Sequence, residues 1–126
     1  MSRRQIRKIA TQLNKFFNKY HICGIKMWFN DDMWEYPTQS VLELDQKIER
    51  KITKNCDTKA SYYSEYANDK TMTIIFEESL LYEILNYGYS NKRFAELEDE
   101  FYKIFTDNGY YYEIGNAWNL SVYEDF

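Results

Sequence analysis

SRRQIRKIATQLNKFFNKYHICGIKMWFNDDMWEYP, residues 2 to 37, sets a helical period and a strand period side by side. Ile6, Ile9, Ala10, Leu13, Phe16, Phe17 and Tyr20 recur at the i, i+3, i+4, i+7 spacing of an amphipathic helix, which predicts a helix from about Ser2 to Tyr20. The period then switches to two. Cys23, Ile25, Met27 and Phe29 alternate with Gly24, Lys26 and Trp28, and Asn30-Asp31-Asp32 supplies turn chemistry before Met33-Trp34-Glu35-Tyr36. A helix followed by a hairpin, closed by Pro37, points to a domain in which helices pack on an antiparallel sheet.

Working outward, Ser40 and Glu43 fit a capping box, and Val41, Leu44, Ile48 and Ile52 predict a second helix, with Glu43 four residues ahead of Lys47. Two alternating runs, Lys59 to Tyr66 and Lys70 to Phe76, flank Asn68-Asp69 and predict a second hairpin. Glu77-Glu78-Ser79 places acids at a helix start, Leu81, Ile84 and Leu85 give a short third helix, and Gly88 follows it. Phe94, Leu97, Phe101, Ile104 and Phe105 share a face of the last helix, which Asp107-Asn108-Gly109 ends. Tyr110, Tyr112 and Ile114, a turn at Gly115-Asn116, and Trp118, Leu120 and Val122 make the closing hairpin. The expected fold is α+β, a two-layer sandwich with helices on one face of the sheet, in the order α-ββ-α-ββ-α-α-ββ. A helix-then-hairpin unit recurs three times in this reading, without residues that align.

The 126 residues suit one domain, 1–126, large enough to bury roughly two-thirds of its unfolded surface without staples. One Pro and four Gly leave no linker. Cys23 and Cys56 lack metal or redox spacing and read as reduced thiols of a cytoplasmic protein. No apolar run nears the about 18 residues of a membrane span, so no membrane partner is expected. Abundant Asn, Lys, Ile, Tyr and Phe reflect AT-rich codons.

Catalytic signatures are absent: no phosphate-binding glycine loop, no nucleophile elbow and no HExxH helix. His21, the one histidine, lies two residues before Cys23, yet a histidine after a helix more simply complements its dipole. Asp45-Gln46-Lys47 and Glu49-Arg50-Lys51 match acid-x-Lys, but on a helix residues two apart diverge. Asp31, Asp32 and Glu35 read as turn acids. The chain is expected to be no enzyme, with no metal and no cofactor.

Charge is the most informative property. Residues 1–63 hold 12 basic and 7 acidic side chains, for +5, and residues 64–126 hold 4 and 13, for −9. Arg3, Arg4, Arg7, Lys8, Lys15 and Lys19 project opposite the apolar stripe of the first helix, a face that suits phosphates or simply water. Glu96, Glu98, Asp99 and Glu100 cluster on the last helix, near Tyr111 and Glu113 in sequence. Tyr62, Tyr63, Tyr66, Tyr110, Tyr112 and Tyr123 enrich the strands around them, and tyrosine is favoured at interfaces. Dense carboxylates can occupy a basic groove on a partner.

The basic first helix (Arg3-Arg4-Gln5-Ile6-Arg7-Lys8), the Tyr- and Asn-rich strands, and the run from Phe101-Tyr102-Lys103-Ile104-Phe105 to Tyr110-Tyr111-Tyr112-Glu113-Ile114-Gly115-Asn116-Ala117-Trp118 resemble small accessory proteins of phages and mobile elements in low-GC bacteria, anti-CRISPR inhibitors among them. The resemblance spans the chain by size, composition and element order and transfers no individual residue. It implies a non-enzymatic inhibitor or adaptor that docks on a host defence nuclease; the charge layout, and not the resemblance, offers Glu96, Glu98, Asp99, Glu100, Tyr111 and Glu113 as the docking face. The alternative is a small nucleic-acid-binding module using Arg3, Arg4, Arg7, Lys8, Lys15 and Lys19, against which the net charge of −4 counts. A homodimer is compatible with either.

Overall fold

The computed structural model describes residues 2–38 and 47–125. Helix α1 (Arg3–Lys19) leads into strands β1 (Lys26–Phe29) and β2 (Asp32–Glu35). Strands β3 (Lys51–Thr53) and β4 (Met72–Ile75) follow, then helices α2 (Leu80–Asn86) and α3 (Lys92–Thr106), and the hairpin β5 (Tyr110–Ile114) and β6 (Asn119–Glu124). The class is α+β, as the periodicities require.

Side-chain caps set the helix starts. The Ser2 hydroxyl accepts from the Gln5 N–H, Ser79 from Leu81 and Asn91 from Phe94, each satisfying an amide that the first turn leaves without a partner. At the β1–β2 turn Asn30 and Asp31 take φ of 51° and 68°, the left-handed pair that matches strand twist in a two-residue hairpin.

The six strands form one antiparallel sheet in the order β3-β2-β1-β4-β6-β5. Register sorts the faces. Met27 opposes Trp34 and Ile74, Met72 opposes Val122 and Ile74 opposes Leu120, so these side chains share the face covered by the helices. Ile9, Leu13, Phe17, Ile84, Phe101 and Phe105 are fully buried against them. Aromatic contacts knit the core: Phe17 of α1 meets Tyr36 after β2 edge-on at 5.3 Å between ring centroids, and within the helix layer Phe16 of α1 meets Phe101 of α3 at 5.6 Å. Gly24, at φ 70°, lets the chain enter β1 close to α2; a Cβ there would stand 2.9 Å from the Glu78 carbonyl oxygen.

Two expectations need correction. The predicted helix after Ser40 falls partly on residues 39–46, outside the described residues, along with Val41, Leu44 and the capping box. Its remaining turn is not helical, because residues 47–50 are irregular and Ile52 lies on β3, paired with Trp34. The predicted hairpin of Lys59 to Tyr66 with Lys70 to Phe76 is also absent. β4 forms, but its neighbours are β1 and β6, and residues 59–66 make a 3-10 turn at Ala60–Tyr62 and further turns. Non-local pairing with two strands already in the sheet outcompetes the local hairpin. The helix-then-hairpin unit is therefore not repeated a second time.

Candidate functional site

The segment 54–71 crosses the sheet as a strap on the face away from the helices. That face presents Trp28, Thr73 and Ser121 in one cross-strand row and Ile75 and Asn119 in the next. Thr73, Asn119 and Ser121 are 1%, 1% and 3% exposed, so their polar atoms must find partners inside the protein. The strap supplies them. Thr73 Oγ1 and Ser121 Oγ share a hydrogen bond of 3.0 Å, Ser121 donates to the Tyr66 carbonyl at 2.8 Å, and the Asn68 N–H donates to Thr73 Oγ1 at 2.8 Å. Asn119 Nδ2 donates to Ser64 Oγ at 3.1 Å while its Oδ1 accepts from the Asn116 N–H at 3.0 Å, so one side chain ties the strap to the β5–β6 turn. The Trp28 indole N–H donates to the Thr58 carbonyl at 3.1 Å.

Seating the strap gathers tyrosines at the surface. Tyr63 lies over Trp28 at 5.6 Å, Tyr62 meets Tyr63 edge-on at 5.2 Å, and Tyr62 is 80% exposed. Tyr111 and Tyr123 oppose each other across β5 and β6 and stack at 5.6 Å with their rings 29° apart. Between strap and hairpin runs a groove of about 290 Å³ lined by Glu65, Tyr66, Glu113, Ile114, Gly115 and Tyr123. Gly115 allows the close approach, since a Cβ on it would stand 2.6 Å from Tyr66 Cβ. Burial and the Glu113 carboxylate push the Tyr123 hydroxyl up from its ordinary value, keeping it a neutral donor at physiological pH.

The expected acidic site divides. Glu113 and Tyr111 lie on the strap side of the sheet, whereas α3 packs on the other side through Tyr112, whose ring meets Phe105 at 5.2 Å. The α3 acids also spread around their helix, because residues two apart are rotated by about 200°. Glu100 faces α1, where Tyr20 donates to it at 2.5 Å and Lys19 pairs with it at 3.6 Å. Glu96 is near Arg93 at 3.5 Å and Asp99 points outward. Glu98 is half-buried near Tyr112, and burial, then Asp99, raise its carboxyl above the ordinary range. Thus Glu96, Glu98, Asp99 and Glu100 do not form one patch with Tyr111 and Glu113.

The basic helix also divides into two lines. Arg3 pairs with Asp31 and Arg7 with Asp32 at 3.6 Å, while Lys59 of the strap reaches Asp31 at 3.0 Å. The turn acids therefore clip α1 and the strap to the first hairpin, and Arg3, then Lys59, hold the Asp31 carboxyl below its ordinary value. Arg4, Lys8 and Lys15 are exposed along the outer line of the helix, with Lys19 at its end beside Glu100. Sequence reading had opposed the two halves of the chain; the ion pairs of Arg3, Arg7, Lys26 and Lys59 are in fact made within the first half.

No family model, curated protein or solved structure matches the chain. Among the described residues no three His, Cys, Asp or Glu side chains are placed to share a metal ion, and no helix is long and apolar enough to cross a membrane. The Cys23 thiol is buried and directed at the His21 carbonyl, 3.9 Å away; burial raises its pKa, the reverse of nucleophile activation. Glu65, Ser64 and Asn119 were not picked out from the sequence as parts of a surface. A signal for them existed: Thr73, Asn119 and Ser121 are polar, short and hydrogen-bonding at alternate strand positions, which suits a face covered by backbone.

Proposed function

We propose that the protein is a non-enzymatic inhibitor or adaptor that docks on a basic surface of a nucleic-acid-handling protein, such as a CRISPR effector nuclease of the host cytoplasm. The docking face is the strap and β5–β6 hairpin. One observation carries this reading: Tyr66 and Tyr123, the latter stacked on Tyr111, line a surface groove with Glu65 and Glu113. Tyrosines give large contact area at small entropic cost, and their phenols donate where flanking carboxylates accept. Two glutamates at the rim favour Lys and Arg on the partner and disfavour a phosphate backbone. This moves the site from the α3 acids to the other side of the sheet and keeps Tyr111 and Glu113.

The second reading, nucleic-acid binding through α1, is favoured by the exposed line of Arg4, Lys8 and Lys15. Photocrosslinking separates the two. A photoreactive phenylalanine at Tyr66 or Tyr123 is expected to give a covalent protein adduct in host cells, while the same group at Lys15 gives none. Nucleic-acid adducts from Lys15, with no protein adduct from the strap face, would reverse the choice.

A further inference from the structure

The two edges of the sheet differ. β3 spans three residues and carries Lys51, both features that discourage strand addition. β5 spans five, contains neither Lys nor Pro, runs in unbroken register with β6, and pairs on that side alone among the described residues. The Asp125 N–H donates to the Gly109 carbonyl at 2.9 Å and the Gly115 N–H to the Asn119 carbonyl at 3.1 Å. Odd-numbered residues therefore bond to β6, and the backbone N–H and C=O of Tyr112 and Ile114 point to the open side.

We propose that this edge is a dimer interface, at which β5 of two copies pairs antiparallel about a two-fold axis through Tyr112. In that register Tyr112 exchanges both backbone hydrogen bonds with Tyr112 of the second copy. Tyr111 falls opposite Glu113 of the second copy as a non-hydrogen-bonded pair, with Cα atoms about 4.5 Å apart, so a phenol meets a carboxylate twice. Shifting the axis to Glu113 sets two carboxylates directly opposite each other, which is unfavourable. Shifting it to Tyr111 carries Ile114, 43% exposed, past the end of the paired segment. Tyr102, 40% exposed and 5.0 Å from Tyr112, supplies aromatic surface beside the axis. The proposal rests on the strand edge and shares Tyr111 and Glu113 with the docking face, but disulfide trapping reads it without any docking partner; joined this way, the Tyr66–Tyr123 grooves of both copies share one face of a continuous sheet.

Sedimentation equilibrium of the intact chain tests the state, and disulfide trapping tests the register. In a Cys56→Ser background, Tyr111→Cys and Glu113→Cys chains are prepared separately, checked for parental melting temperature, and oxidised alone or mixed. The expected result is a dimer of the intact chain and a disulfide-linked species that forms efficiently in the mixture and not in either chain alone. Tyr111→Glu, which sets carboxylate against carboxylate, should weaken dimerisation by about tenfold or more. Trapping of Glu113→Cys alone, no trapping in the mixture, or a chain that sediments as a monomer up to its solubility limit would each overturn the proposal.

Discussion

Asn119 and Gly115 show how much of the candidate site hangs on single residues. Asn119 bonds Ser64 of the strap and the Asn116 N–H of the turn from a site that is 1% exposed. Asn119→Ala therefore removes the side-chain acceptor of the Asn116 N–H and the tie to Ser64, which keeps its bond from the Tyr66 N–H, and is expected to cost about 1–3 kcal/mol. Gly115→Ala places a methyl group where Tyr66 and Asn119 already stand, and overpacking of that kind costs about 1–3 kcal/mol. Urea melts check both; losses below about 0.5 kcal/mol would mean the strap is not seated on the turn. Asp31 offers a test by pH. Its folded-state pKa is depressed by Arg3 and Lys59, so its contribution is present above its ordinary value of 3.8 and is lost as pH falls through the lower folded value. Asp31→Asn should thus be less stable than the parent at neutral pH and indistinguishable from it in stronger acid. A gap of constant size across that range would show that the clip to Arg3 and Lys59 is not electrostatic.

At the scale of elements, α1, α3 and the two hairpins at the ends of the chain were legible because each carries its own period. Leu13 and Phe101 lie mid-stripe on α1 and α3 and are fully buried, so truncating either to Ala should cost about 2–5 kcal/mol in the same melts. The strap was illegible for a physical reason. Lys59 to Tyr66 alternates like a strand, but its tyrosines are held by Trp28 and by a polar sheet face that only the folded chain assembles. Ile52 likewise satisfies a helical spacing, yet pairing with Trp34 places it on β3. The site was half legible: Tyr111 and Glu113 were found by composition, while linear closeness to Glu98 and Asp99 hid the sheet that lies between them. Because the strap is fixed largely by polar bonds to the sheet, its amides should open without global unfolding. Hydrogen exchange in residues 59–70 is expected to run faster than in β4 and β6, and Asn119→Ala should speed it further. Equal protection of strap and sheet would make the strap part of one cooperative unit.

For the whole molecule, the layout of charge decides which surface a partner meets. At the β1–β2 turn Asp31 and Asp32 pair with Arg3 and Arg7, and Glu100 is held by Tyr20 and Lys19, so these groups are committed to the fold. Glu65 and Glu113 at the strap groove, Asp99 on α3, and Arg4, Lys8 and Lys15 on α1 remain outward-facing, on three separate surfaces. Three charge variants therefore discriminate the readings without disturbing the core. Glu65→Lys with Glu113→Lys should weaken binding to the partner captured at the strap face by about tenfold or more, since like charges brought together across an interface cost several kcal/mol. Asp99→Lys with Glu96→Lys should leave that binding near the parental value, because the sheet separates α3 from the groove. Arg4→Gln with Lys8→Gln and Lys15→Gln should do the same. Were the chain a nucleic-acid binder, the third variant would be the damaging one, and log affinity would fall linearly with log salt as phosphate contacts release counterions. Titration of each variant against the captured partner, with melting temperatures to confirm the fold, reads all three. Wild-type affinity in the Glu65→Lys, Glu113→Lys variant would remove the strap face from consideration, because two reversed charges at the rim of a true docking groove cannot be neutral in effect.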